Sequence, residues 1–348
     1  METLARRPLP VYQQDGPLGI FKDSDREALF RSAGFVKFTP FTPEEAADLR
    51  REAADLMMSA ATKSSTSIDL TNAFADPTEK RRVQDWANER VAGRCLACLN
   101  DYKLAMSGIS RKPPHSDYLQ SHVAWTFMKD PKIIGVTAWV ALEDVHLDNG
   151  AMKFLKGAHG LGWPAWGPAM QMLAMPGLLA LEHEMTTVTV KAGEGFLFDS
   201  YLPHGSTANT TDHDRLAVRI QMIPQEAEHV LHNVFPAEPS KVYVYPFSDA
   251  HLATLSFEQL LTNDVGREPI DSYPRPYLNV TAENFLQAYR HGEAIRSGER
   301  DFASFFDPPA EPAPAAASLR QPTPGVARRL RGYAGRIKRG VLRRSNRA

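Results

Sequence analysis

Cysteine is nearly absent: Cys95 and Cys98 are the only two in 348 residues. Two thiols cannot build a disulfide framework, and their scarcity fits a reducing compartment, so a cytoplasmic protein is expected. Long apolar runs are missing as well. The longest, such as residues 133–142, are about half of what crosses a bilayer, so no transmembrane helix is expected. No apolar stretch follows the two arginines near the N-terminus, which argues against a secretory signal.

Acidic residues are missing from one end. Residues 318–348 hold ten Lys and Arg and no Asp or Glu, whereas residues 1–317 hold 30 basic and 41 acidic side chains. The formal net charge of −1 therefore conceals a body of −11 carrying a tail of +10. Such asymmetry points to contact between the tail and an anionic surface.

What is present reads as a soluble globular chain, 43% hydrophobic and 23% charged. Residues 1–24 form an irregular lead-in, residues 25–307 the folded domain, residues 308–325 a Pro/Ala-rich linker, and residues 326–348 the basic tail. Gly34-Phe35-Val36-Lys37-Phe38 alternates like a short strand. Thr42-Pro43-Glu44-Glu45 opens a helix with Thr at the N-cap, Pro at N1 and Glu at N3, and puts Ala46, Leu49, Ala53 and Leu56 on one face. Residues 78–107 are also expected to be helical.

Further on the pattern becomes β-rich. Residues 133–142, 186–190, 196–198 and 216–220 read as short strands, and Asp148-Asn149-Gly150 reads as a hairpin turn. The expected fold is mainly β with flanking helices: a double-sheet jelly-roll core behind N-terminal helices. Residues 230–306 are mixed and are expected to pack outside it.

The chemistry is carried by spacing. His115-Ser116-Asp117 is an H-x-D, and on a strand residues two apart share a face, so imidazole and carboxylate can converge on one cation. A third ligand must come from elsewhere, and His204, in Leu202-Pro203-His204-Gly205-Ser206, is the best placed. Two His and one carboxylate leave half the coordination sphere open, which suits non-haem Fe(II). A second copy, His146-Leu147-Asp148, lies in the presumed turn and is read as turn chemistry.

The ordered set H-S-D-Y, W-V-A-L-E-D, D-N-G-A-M-K-F-L-K-G-A-H-G, G-E-G-F-L-F and L-P-H-G-S-T-A-N-T-T-D-H-D-R resembles the phytanoyl-CoA dioxygenase family of Fe(II)/2-oxoglutarate oxygenases. The resemblance covers roughly residues 30–225 and is similar to the ectoine-hydroxylase branch at His115-Ser116-Asp117. It departs at Lys156-Gly157-Ala158-His159, where the family more often has Pro-Gly-Ser-His.

The resemblance implies a double-stranded β-helix with His115, Asp117 and His204 as iron ligands and His159 as a turn histidine. It implies that Arg215 holds the distal carboxylate of 2-oxoglutarate, a role suited to a guanidinium with two parallel hydrogen bonds. Arg219, on the same strand face, is a rival; Ser206 and Trp139 are further candidates for the co-substrate pocket. The implied reaction consumes 2-oxoglutarate and O2 and hydroxylates a C–H bond of a small organic substrate, releasing succinate and CO2. Asp117 argues against a halogenase, because halogenating members lack that carboxylate. No substrate-binding residue can be assigned.

Other features are read as structure. Cys95-Leu96-Ala97-Cys98 lacks a second Cys pair or a thioredoxin-like context, and is read as core. Trp163, Trp166, Met170, Met172 and Met175 form a soft apolar stretch, either a lid or ordinary packing.

In the tail, Val326, Leu330, Tyr333, Ile337 and Val341 make one helical stripe opposite the basic residues. Gly332, Gly335 and Gly340 each cost about 1 kcal/mol in a helix, so the segment is expected to be disordered in water. It suits peripheral contact with an anionic membrane or nucleic acid. The rival to an oxygenase is a catalytically inactive or differently catalytic cupin-like metal-binding module whose tail meets anionic partners.

Overall fold

The computed structural model describes residues 19–59, 68–71, 76–130, 133–161, 165–168, 178–235, 237–275 and 281–292. These all fall in the first of two compact units, Met1–Asp307; the second, Pro308–Ala348, lies outside the described residues, and so do the linker and tail expectations.

Helix α1 (Ser24–Ala33) is capped by the Asp23 side chain and stopped by Gly34 at φ 82°, whose N–H donates to Phe30 O. Strand β1 (Phe35–Phe38) follows, then α2 (Pro43–Ser59). The expected capping box is present: Glu45 N–H donates to Thr42 Oγ1, and Thr42 N–H donates to the Glu45 carboxylate. After β2 (Asp69–Leu70) come α3 (Pro77–Ala87), a wider turn Asn88–Ala92 and α4 (Gly93–Leu96). The helix expected over 78–107 ends there. Residues Tyr102–Lys112 are instead strand β3, whose middle is buried on both faces, so burial hides the alternation that would have marked it.

The core strands are β4 (Leu119–His122), β5 (Val136–Ala141), β6 (Met152–Phe154), β7 (Thr186–Val188), β8 (Gly195–Asp199), β9 (His204–Ser206) and β10 (Arg215–Pro224). They divide between two antiparallel sheets. The larger runs β1-β8-β5-β10-β3-β2 and the smaller β4-β9-β6-β7. This double-sheet arrangement is the jelly-roll the sequence implies. Asp148-Asn149-Gly150 does turn the chain, with Gly150 at φ 98°, but no hairpin results: β5 and β6 belong to different sheets.

Side-chain alternation positions the site. Val136, Ala138 and Val140 of β5, with Leu216, Val218 and Ile220 of β10, pack outward against Phe30, Leu49, Val83 and Val91 of the helical layer. Trp139, Ala141, Ala217, Phe196 and Phe198 point the other way and meet Met152 and Phe154 of the smaller sheet. Arg215 and Arg219 share the inward face of β10.

A third sheet, from β11 (Val230–Asn233), β12 (Lys241–Pro246) and β13 (Asp271–Pro274), flanks this core. It is joined by α5 (Asp249–Leu252), α6 (Phe257–Thr262) and α7 (Ala282–Arg290). No helix among the described residues is long and apolar enough to cross a membrane.

Candidate metal and co-substrate site

On the smaller sheet, His122 of β4 is the direct register partner of His204 of β9, and their ring centroids lie 4.3 Å apart. Each imidazole is held from behind. His122 Nδ1 lies 2.8 Å from Gln120 O and His204 Nδ1 lies 2.9 Å from Leu202 O. A carbonyl can only accept, so both Nδ1 atoms carry the proton and both Nε2 atoms keep a lone pair. No hydrogen bond among the described residues engages either Nε2. Burial holds the His122 pKa below the ordinary range and that of His204 well below it, with His122 adding to the second shift. The Phe198 ring, 4.7 Å from that of His204, supplies part of this apolar surround. Two neutral imidazoles, each oriented by a carbonyl, have the donor chemistry a metal ion could use.

On the facing sheet, Arg215 is buried, and burial pulls its guanidinium down to about 10. Its Cζ sits 5.0 Å from the Trp139 ring centroid, and Nη2 makes a long 3.4 Å contact to Gly150 O. Nε and Nη1 have no hydrogen-bond partner among the described residues. Leaving such donors buried and unpaired is costly unless an acceptor arrives. The hydroxyl of buried Ser206 is likewise without a partner among the described residues. Lys112, which the sequence did not single out, stands opposite Arg215 in register, and burial together with Arg215 lowers its ammonium to about 7. Gly150 lets these cations approach: a Cβ there would lie 2.3 Å from Lys112 Cδ and 3.2 Å from Arg215 Nη2. A carboxylate suits this cradle.

Arg219 is half-buried and makes no hydrogen bond or ion pair among the described residues. Its charge is near enough to both imidazoles to lower their pKa values. The two arginines thus divide: Arg215 lies against Trp139 and Gly150, Arg219 beside the histidine pair.

The three expected ligands are not brought together. His115 and Asp117 lie on the connection between β3 and β4 instead of on a strand, so the same-face argument does not apply to them. The His115 backbone is left-handed at φ 50°, and its exposed ring pairs with exposed Asp212 at 2.9 Å. Asp117 is also exposed, and its carbonyl accepts from Lys112 Nζ at 2.7 Å. Of the expected three, only His204 lies in the interior. No group of three His, Cys, Asp or Glu side chains among the described residues is placed to hold a metal. The structure therefore brings His122, not His115 or Asp117, beside His204, and sets Arg215 apart on the facing sheet. His122, which the sequence reading did not single out, has no motif around it and lies in an extended stretch seven residues past His115.

The remaining readings fall on structure. Buried His159 sits in the short turn Ala158–Leu161 against Phe30, with Nε2 3.2 Å from Arg31 O. His146 and Asp148 pair at 3.3 Å on the exposed loop. Cys95 is buried, which pushes its thiol pKa upward, and Cys98 bonds the Arg94 carbonyl. Trp166 is core; Trp163, Met170, Met172 and Met175 lie outside the described residues.

The family model for phytanoyl-CoA dioxygenase (PhyH) matches residues 30–217. No curated protein matches the sequence. Among solved structures, the chain is similar to the non-haem alpha-ketoglutarate-dependent epimerase SnoN from nogalamycin biosynthesis, at 22% identity and TM-score 0.45 over 59% of this chain and 84% of that one. It is similar to the carbocyclase SnoK from the same biosynthesis, at 16% identity and TM-score 0.46 over 64% and 89%. It is also similar to HygX from Streptomyces hygroscopicus, solved with nickel, 2-oxoglutarate and hygromycin B, at 18% identity and TM-score 0.42 over 59% and 88%. The chain belongs to the phytanoyl-CoA dioxygenase family, whose members use iron(II) and 2-oxoglutarate.

Proposed function

We propose that this chain couples decarboxylation of 2-oxoglutarate to oxidation of a C–H bond in a small organic molecule. The observation that carries this reading is the pairing, between the same two sheets, of carbonyl-held imidazoles with a buried guanidinium two of whose nitrogens find no acceptor among the described residues.

Arg215 takes the distal carboxylate of 2-oxoglutarate, with Trp139 against its guanidinium and the Ser206 hydroxyl as a further donor. Lys112, held by the Asp117 carbonyl, adds positive charge beside it. His122 and His204 hold the iron. When bound, iron(II) and 2-oxoglutarate supply the oxidising chemistry, with O2 as oxidant and succinate and CO2 as products. The packed aromatic wall of Phe154, Phe196 and Phe198 keeps water from that centre. Hydroxylation of that C–H bond is the outcome the family resemblance implies.

The test is anaerobic addition of iron(II) and 2-oxoglutarate, read by the visible charge-transfer band of the chelate, followed by succinate release under air. A band with substrate-dependent succinate supports the enzyme. Metal binding without any 2-oxoglutarate band or succinate would favour the non-catalytic cupin-like module instead.

We also propose that residues 326–348 bring the protein to an anionic membrane surface, on the order of 1 kcal/mol per basic residue near the lipid. Support comes from the charge split alone.

A further inference from the structure

Arg215 and Arg219 share the inward face of β10, but their surroundings differ. In register, Arg215 stands opposite Lys112 of β3, whereas Arg219 stands between Gly108 of β3 and Trp139 of β5. The Trp139 indole nonetheless lies against the Arg215 guanidinium, 5.0 Å from ring centroid to Cζ. On the other flank Gly108 has no side chain, and a Cβ there would collide with the hydroxyl of buried Thr71. That oxygen accepts from Ile109 N–H, which leaves its own proton to donate. Arg219 thus has no hydrogen bond, ion pair or aromatic ring against it among the described residues. Burial alone acts on it, pulling the guanidinium down to about 10, whereas Glu143 partly offsets burial at Arg215.

Neither the fold nor the co-substrate answers this charge. The carboxylate whose charge reaches His122, that of Glu182, is engaged by Ser121 N–H and the Lys153 ammonium. The distal carboxylate of 2-oxoglutarate is assigned to Arg215, and its keto-acid end to the metal. A buried cation without a counter-charge is costly, and a carboxylate reaching it gains two parallel charge-assisted hydrogen bonds. A single guanidinium suits a monoanion better than a phosphate dianion, which wants several cationic donors. Around His204 the Phe154 and Phe198 rings make the wall apolar, so the rest of such a molecule meets hydrocarbon.

We propose that Arg219 binds a carboxylate of the substrate itself, so that the molecule oxidised is a small carboxylic acid with an apolar body, held beside the histidine pair. This deepens the proposed function and rests on it. No chemical step is added to that reaction: Arg219 places the acid, as its anion, and the apolar wall receives its hydrocarbon part.

The test titrates the anaerobic iron(II)–2-oxoglutarate complex, its Arg215 already occupied, with phenylacetate and hexanoate, each against its primary amide. Binding is read by tryptophan fluorescence and formation of the complex by its visible band. In wild type at least one acid binds roughly ten-fold or more tighter than its amide. Arg219→Gln, with its fold checked by circular dichroism, keeps the band and loses that difference, and Arg219→Lys, which retains the charge, still prefers the acid. Acids and amides that do not differ in wild type overturn the proposal, as does a preference undiminished in Arg219→Gln. Loss of the band in folded Arg219→Gln also overturns it, by making Arg219 a co-substrate residue. A wild type that forms no band overturns the broader proposed function instead, and the acid–amide comparison by fluorescence still decides the role of Arg219.

Discussion

His122 and His204 stand directly opposite each other on β4 and β9, with both Nδ1 atoms turned back to backbone carbonyls. Strand pairing fixes the separation of the rings and the two carbonyls fix their rotation. The pair is therefore organised by the fold itself.

That organisation depends on a close backbone approach. A Cβ at Gly205 would lie 2.6 Å from Leu119 O, so Gly205→Ala must push β4 away from β9. We expect iron affinity to fall by roughly ten-fold or more although no ligand is changed. An isothermal titration with iron(II) under argon checks this; unchanged affinity would show that β4 can shift without disturbing the pair.

Arg215→Ala removes the buried donors assigned to 2-oxoglutarate. A hydrogen bond to a charged group is worth about 2–3 kcal/mol, so the apparent affinity for 2-oxoglutarate should drop roughly 30- to 150-fold. Arg219→Ala should leave that affinity within a few-fold. A reversal of the two results would move the anchor to Arg219.

Asp199 gives a pH signature of stability. Burial pushes its carboxyl up to about 7, opposed by a hydrogen bond from Tyr201 N–H. With the folded pKa above the unfolded value, this carboxyl favours folding fully below about pH 4, and that contribution is lost as pH rises through 7. The loss is on the order of 4 kcal/mol at this burial. Asp199→Asn should therefore gain on wild type between pH 4 and pH 8 in thermal unfolding. A constant difference in Tm across that range would contradict the assignment.

The charged tail should act separately from the barrel. Full-length protein should co-sediment with phosphatidylserine vesicles at low salt and be released by 0.5 M salt, and residues 1–317 should not bind. Equal binding by both forms would remove the membrane reading.

The strand–helix alternation of the fold was readable in particular places. The Thr42–Glu45 capping box, the alternation in β1 and the β-branched runs of β5 and β7 are local signals, and local hydrogen bonds and packing realise them. Strand β3 was not readable, because burial on both faces removes its period. The site shows the same division. His204 is named from its place past the Gly195 strand and Arg215 from the family resemblance, eleven residues further on; both are buried. The partner of His204 depends on which residue of β4 falls opposite it, and that is a fact of register between strands 82 residues apart in sequence. His115-Ser116-Asp117 has the composition of a ligand motif but lies one connection too early in the chain.

The central claim is tested most directly by the iron(II) dissociation constants of His122→Ala and His115→Ala, measured side by side by anaerobic titration with folding checked by circular dichroism. The structure predicts a loss of more than about ten-fold for His122→Ala and wild-type affinity for His115→Ala. Loss of iron in His115→Ala with full binding retained in His122→Ala would contradict it.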